Sequence, residues 1–261
     1  MQPFLTANWR YLAMLNYVVD PHILAPFVPP ATEIDFENGE TFLSVVGFLF
    51  LDTRLLGLPI PLHRDFEEVN LRFYVRRKSA DTWRRGVVFI RELVPRRAIA
   101  LVARTFYGEN YVAVPMKYEI EDLNGNLKVE YSWRRGRKWE SLKMSAVGEP
   151  KPIPAGSHAE FITEHYWGYT ALHSGCSEYR VEHPRWKIWN ATQCEFDADG
   201  PLRRTIPRNI KSATALGLHC RWLTDHGPKA PDSSVAAVCD RRRQRFDSNC
   251  RSTNGKIPPC R

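Results

Sequence analysis

Along the first 200 residues the apolar positions fall in short runs and two-residue alternations, and few stretches carry helical spacing. Between Arg10 and Val19 they are almost continuous, which predicts a largely buried strand. Asp20-Pro21 sets a helix N-cap before a proline at the first helical position. It predicts a short helix to about Phe27, stopped by Pro29-Pro30. Residues 34–37 and 41–51 flank Asn38-Gly39, a dipeptide suited to a type I′ turn, and predict a hairpin. Val69, Leu71, Phe73 and Val75 alternate with Asn70, Arg72 and Tyr74, the pattern of a strand with two distinct faces. Residues 86–93 read as its neighbour. Pro95 opens a second helix to about Phe106, with Gly108 just past its end. Residues 111–121, 127–133 and 139–146 predict antiparallel strands, with Asn124-Gly125 as a second hairpin turn. After a connector at 150–154, Ser157 with Glu160 three residues on forms a capping-box pattern. It predicts a helix from Ser157 to Trp167. Residues 177–182 and 186–196 predict two more strands. The fold class is α+β: β-rich, mostly antiparallel, with few helices.

Composition changes the picture at one place. The chain has 261 residues, 43% apolar and 25% charged, ordinary values for a globular protein, with a net charge of +8 that would suggest an anionic partner. Residues 1–200 hold 24 Lys and Arg against 25 Asp and Glu, and residues 201–261 hold 13 against 4. The basic excess therefore lies wholly in the last 61 residues. That segment has no Glu, Tyr or Met, and only two aromatics, Trp222 and Phe246. Leu, Ile, Val and Phe supply 10 of its 61 residues, below the roughly 20% at which chains stop building a core. It also holds Cys220, Cys239, Cys250 and Cys260, whose spacing fits no zinc pattern. A nucleic-acid role through this tail is one reading of its charge; the near-neutral remainder argues against such a partner.

The N-terminus shows no basic region followed by an apolar stretch, and the longest apolar run, from Phe42 to Leu51, is broken by Ser44 and Gly47. The expectation is a cytoplasmic protein without membrane contact, its cysteines present as thiols. No nucleotide loop, nucleophile elbow or metal-binding His pair appears, so neither a cofactor nor a metal is expected.

Several segments together resemble a known family: Asn8-Trp9-Arg10, Val19-Asp20-Pro21, Pro29-Pro30, Val46-Gly47-Phe48, the run from Phe66 to Arg72, and Glu160-Phe161-Ile162-Thr163-Glu164. In this order, from about Thr6 to Asp199, they are similar to the domain-of-unknown-function 2071, or YqjF-like, family, whose activity is not established. Its members resemble the acetoacetate decarboxylase-like fold, so the resemblance implies a sheet or partial barrel of that type. His165 departs from the family, which usually has Arg after that Glu.

Acetoacetate decarboxylase uses two adjacent lysines, one forming a Schiff base with a ketone and the other lowering its pKa. The matching region here, about residues 107–118, offers Lys117 alone, between Met116 and Tyr118. Lys117 is thus the one candidate catalytic residue, set against the plainer reading of an exposed strand lysine. Glu68, Asn70 and Arg72 share one strand parity, so their side chains are expected on one face and, as the ligand-binding candidates, in one cavity. The alternative is a solvent-facing strand with Glu68 and Arg72 ion-paired. The resemblance implies binding, with turnover left open, of a small organic acid or carbonyl compound in an internal pocket. A non-catalytic ligand-binding or structural module is the alternative, and self-association is compatible with either.

The resemblance stops near Gly200, where related chains carry Leu-Tyr-Gly and later an Ala-Asp-Gly-Ser-like segment. Read one base late, the codons of Cys220 to Leu223 can encode Ala-Asp-Gly-Ser, with the Gly forced by Trp222-Leu223, and those of Pro201 to Arg203 can encode Leu-Tyr-Gly. The expected organisation is therefore a domain over residues 1–199, incomplete, followed by a frameshifted or disordered basic tail over 200–261. Losing the native terminal strands is expected to leave an unpaired sheet edge.

Overall fold

In the computed structural model, residues 4–80, 82–172, 175–199, 219–224 and 235–238 are described. The fold is built on long strands. β1 (Leu5–Val19), β3 (Thr41–Leu55), β5 (Phe66–Ser79) and β6 (Thr82–Val94) pair antiparallel in the spatial order β1-β3-β5-β6. β12 (Trp167–Leu172) lies parallel to β6, and β13 (Gly175–Glu182) pairs antiparallel with β12. Another antiparallel array joins β8 (Met116–Leu123), β9 (Asn126–Arg135), β10 (Lys138–Val147) and β14 (Lys187–Asp197). Short pieces complete the strands: β2 (Glu33–Ile34) on β5, β4 (Leu58–Pro59) on β3, β7 (Tyr111–Ala113) parallel to β6, and β11 (Lys151–Pro152) on β14.

Among the described residues three helices punctuate the strands. α1 (Pro21–Leu24) starts where expected, with Asp20 accepting from the His22 N–H at 2.9 Å, and runs on into a 3-10 turn over Ala25–Phe27. α2 (Arg97–Tyr107) ends on Gly108 at φ +72°, a left-handed cap that favours glycine. α3 (His158–Thr163) carries the expected cap, Ser157 Oγ accepting from the Glu160 N–H at 3.3 Å.

Two expectations need correcting. α3 ends at Thr163, not Trp167, and Trp167 instead begins β12, an element the apolar pattern did not reveal. Asn38 (φ +51°) and Gly39 (φ +83°) do form a tight left-handed turn, but only the Glu37–Glu40 bridge closes it; β2 pairs with β5 rather than β3. The Asn124-Gly125 hairpin joins β8 to β9 as expected. Cys176 is a free thiol, whereas Cys194 is disulfide-bonded, a departure from the expectation of thiols throughout.

Alternation on the central strands sorts the apolar residues into two layers. On β5, Val69, Leu71, Phe73 and Val75 pack into a core shared with Tyr131 and Trp133 of β9 and Leu142 and Met144 of β10. The opposite face of the same strands turns toward a second core containing Phe48, Phe50, Phe66 and Tyr74. Close packing in the first layer requires Gly47: a Cβ there would lie 2.4 Å from the ring of Tyr131, whose hydroxyl donates to the Tyr11 carbonyl at 2.8 Å.

Bulges keep the second face continuous. Around Tyr11 (φ +54°) the register of β1 on β3 shifts, so Ala7 and Trp9 before it and Leu12 and Met14 after it face the same layer. Asp52 (φ +51°) does the same for Phe50 and Thr53 on β3, and an extra residue at Ile90 aligns Phe89 with Glu92 on β6. Each bulge reverses strand parity.

Most of the basic tail lies outside the described residues. Within it, the backbones of β15 (His219–Thr224) and β16 (Val235–Val238) pair antiparallel with β1, β15 also with β14 and β16 also with β13. They cover one edge of β1 along Leu12–Asn16 and Leu5–Ala7.

Candidate functional site

The second face encloses a cavity of about 290 Å³, close to the lower end of the volumes usual for small-molecule sites. Its wall comes from β1, β3, β5, β6, β7, β12, β13, α2, α3 and the loops between them. Glu68, Asn70 and Arg72 all line it, as period-two spacing on β5 requires once Phe66 faces inward. Antiparallel register sets Val46 and Glu92 either side of Asn70, and parallel register sets Tyr111 of β7 beside Glu92.

Three carboxyl groups and two phenols gather here. Asn70 Nδ2 donates to Glu68 Oε1 at 3.0 Å, and the Tyr111 hydroxyl donates to Glu68 Oε2 at 2.9 Å. The Tyr179 hydroxyl donates to Glu109 Oε1. Glu68, Glu92 and Glu109 are all nearly inaccessible to solvent. Burial disfavours their ionised forms: Glu68 is pushed up to about 7 and Glu109 to about 8. Glu92 is raised well above the usual carboxylate range by burial, with the charges of Glu109 and Glu68 adding to it. Near neutrality Glu92 and Glu109 hold protons and present carboxyl O–H donors where an ordinary glutamate would present an anion, while Glu68 sits close to its titration point.

Gly168 on β12 makes room for one of the phenols. A Cβ there would fall 2.1 Å from Tyr179 Cζ, so any larger residue would displace the ring that donates to Glu109.

Arg72 is the sole Arg or Lys among the described lining residues. Its guanidinium carbon sits 5.8 Å from the centroid of the Tyr74 ring, and its Nε is buried with no hydrogen-bond partner. No carboxylate among the described residues lies within 4 Å of it, so the Glu68–Arg72 ion pair considered above is not formed. The cation remains available in a wall that is otherwise mostly apolar.

His165 lines the cavity next to Arg72. Burial lowers its pKa to about 4, against the opposing pull of Asp35. Burial acts to raise Asp35, yet hydrogen bonds from His165 and Arg85 outweigh it and hold that carboxyl below its usual range. An ionised Asp35 only accepts, so His165 Nε2 carries the proton and donates to Asp35 Oδ2 at 3.1 Å, while Arg85 Nε donates to the same oxygen at 2.7 Å. The unprotonated Nδ1 of His165 is buried without a partner.

Lys117 lies elsewhere. It is on β8, its side chain about half exposed, with Nζ 3.9 Å from Glu119 Oε1 and 5.5 Å from the centroid of the Trp139 ring. It does not line the cavity, and neither does any other lysine among the described residues. An amine is therefore absent from the described wall, and imine chemistry has no nucleophile there.

Six buried side-chain atoms around this single cavity lack hydrogen-bond partners among the described residues: Trp9 Nε1, Thr53 Oγ1, Asn70 Oδ1, Arg72 Nε, Glu92 Oε2 and His165 Nδ1. Leaving one such group unmet costs about 1–3 kcal/mol. Their concentration at one place marks a wall whose polar groups are arranged toward something other than one another. Sequence reasoning reached Glu68, Asn70 and Arg72 but missed Trp9, Glu92, Glu109, Tyr111, Tyr179 and His165 as wall residues. Among the described residues no group of three or more His, Cys, Asp or Glu is disposed to hold a metal ion, and no helix is long and apolar enough to cross a membrane.

Comparison with known proteins agrees with this architecture. The profile of the DUF2071 family, described as an uncharacterized conserved protein, matches residues 6–220. The uncharacterized protein YqjF of Bacillus subtilis (strain 168) is 31% identical over 191 residues, covering 70% of this chain and 74% of YqjF. Among solved structures, acetoacetate decarboxylase from Legionella pneumophila superposes with a TM-score of 0.59 at 13% identity, over 90% of this chain and 84% of that one. The enduracididine biosynthesis enzyme MppR in complex with pyruvate superposes at 0.57 and 10% identity, over 91% and 88%. At such identities the likeness establishes the fold, which is the acetoacetate decarboxylase-like fold the sequence resemblance implied.

Proposed function

Because the chain belongs to the DUF2071 family of uncharacterised conserved proteins and encloses a cavity whose one Arg or Lys among the described residues is not ion-paired, we propose that it binds a small organic acid there, with the carboxylate on Arg72. Arg72 carries the reading. An unpartnered guanidinium in an apolar wall suits a planar carboxylate, which it can hold through two parallel N–H···O bonds. The protonated carboxyls deepen the selectivity. With Glu92 and Glu109 neutral near pH 7 and His165 uncharged, they do not compete with a bound anion for Arg72, and the two carboxyl groups can donate to a carbonyl or hydroxyl oxygen beside it. Pyruvate bound to MppR, which shares the fold, is an acid of this class.

Glu68, Asn70 and Arg72 are the proposed ligand contacts. Glu68, titrating about 7, is the wall group best suited to exchanging a proton with a bound acid, so turnover by acid–base chemistry would run through it. Among the described residues the wall has no lysine, which favours a binding module or acid–base chemistry over the decarboxylase's imine route, and Lys117 forms no part of the proposed site. Calorimetric titration with pyruvate at pH 7 tests the proposal. Wild type should bind, and Arg72→Met should weaken binding by tenfold or more. Equal affinity in the two proteins refutes it.

On the same reading the protein acts in the cytoplasm and uses no metal, cofactor or nucleic-acid partner. We also propose that its native sequence continues in a shifted frame from about residues 197–201. The coding DNA decides this: codons 220–223 read one base late should spell Ala-Asp-Gly-Ser, and any other reading ends the proposal.

A further inference from the structure

The cavity is long compared with a three-carbon acid. On β5 its wall runs from Phe66 to Arg72, six residues or about 20 Å at 3.3 Å per residue. Arg72 stands at one end and a set of aromatic rings at the other. Along β5 the wall residues run Phe66, Glu68, Asn70, Arg72, with Glu92 opposite Asn70, so Arg72 closes one end, whereas at the other the register sets Phe50 of β3 opposite Phe66, and Trp9 of β1 opposite Phe50. These rings form a continuous aromatic arm. Phe50 stacks on Phe66 at 4.7 Å between centroids, Trp9 meets Phe50 edge-on at 5.8 Å, and Trp186 stacks on Trp9 at 6.4 Å. The arm continues to Leu55 and Ile60 and to Ile99 of α2. Trp9 Nε1 and Thr53 Oγ1, both buried and without partners, lie along it, so a polar atom on the ligand's far part would meet a hydrogen bond there.

We infer that the ligand is an amphipathic acid: a carboxylate held at Arg72, extended by an aryl or alkyl group that fills the Trp9–Phe50–Phe66 arm. This rests on the anion site proposed above and names the class of acid it takes. A three-carbon acid at Arg72 would leave the aromatic arm uncovered. Burying an added methylene there is worth about fourfold in affinity, or ~0.8 kcal/mol. A phenyl group is several such units, so tenfold is a lower bound for its effect.

Calorimetric titration of the full chain with pyruvate and with phenylpyruvate at pH 7 tests the inference, since the two acids share the same head. Phenylpyruvate should bind at least ten times more tightly, and Phe50→Ala should shrink that ratio. A wild-type ratio below ten, with pyruvate still bound through Arg72, overturns the amphipathic ligand and leaves the anion site standing. If neither acid binds, the anion site and the arm fall together. The wild-type ratio needs no variant to fold.

Discussion

Replacing Glu109 by Gln tests the electrostatics of the cavity without changing its shape. In the unfolded chain this carboxyl ionises near its ordinary value of 4.5, and in the fold at about 8, because burial disfavours the charge. Between those values the folded protein keeps a proton that the unfolded chain has released. Unfolding then sheds a proton, and stability falls as pH rises. The stabilising contribution is complete below pH 4.5 and gone above about 8, at a slope of ~1.36 kcal/mol per pH unit, which amounts to on the order of 5 kcal/mol across the window. That is a large share of the 5–15 kcal/mol typical of a whole domain. Glu68 and Glu92 are raised in the same sense, so wild type should lose stability steeply toward alkaline pH. Asp35 acts in the opposite direction but below its ordinary 3.8, outside the range. Urea unfolding at pH 5.5 and 7.5 reads the effect. Between those two values Glu109→Gln should gain roughly 2–3 kcal/mol relative to wild type. Parallel behaviour of the two proteins, within about 0.5 kcal/mol, would refute the buried, protonated carboxyl.

Two other outcomes follow from particular contacts. Gly168→Ala should push Tyr179 away from Glu109 and cost roughly 1–3 kcal/mol from overpacking. Since the Tyr179 bond lowers the Glu109 pKa, the variant's loss of stability should extend to higher pH, seen by the same urea series; an unchanged profile counts against the contact. Incubation with pyruvate and borohydride at pH 7 should leave Lys117 unmodified by peptide mass mapping, because it is half exposed on β8 and outside the cavity; stoichiometric trapping there would reverse the assignment.

Where a strand keeps its period, the sequence was informative. Residues 69–75 displayed both faces of β5, and the shared parity of Glu68, Asn70 and Arg72 was enough to bring them to one wall. Where the period breaks, reading failed for a definite reason. Glu92 has the opposite parity to Val87 and Phe89, yet the extra residue at Ile90 turns all three inward, and no local residue type announces that bulge. Tyr11 and Asp52 reverse β1 and β3 in the same way, each a non-glycine at positive φ. Glu109 stands beside Gly108 in what reads as a helix end, where an exposed acid is the ordinary expectation; long-range packing against Tyr179 buries it. His165 showed itself as a departure from the family pattern, though its partner Asp35 is 130 residues away and had no sequence signal. β12 escaped because Trp167–Leu172 (Trp-Gly-Tyr-Thr-Ala-Leu) follows directly on a capped helix and shows no two-residue alternation of apolar and polar positions.

A crystal structure of the chain soaked with phenylpyruvate is the most direct measurement of the central claim. The account predicts the carboxylate within hydrogen-bond distance of the Arg72 guanidinium and the phenyl ring against Phe50 and Trp9. Density for the acid anywhere else, or an Arg72 that holds only water in crystals saturated with it, would contradict the claim.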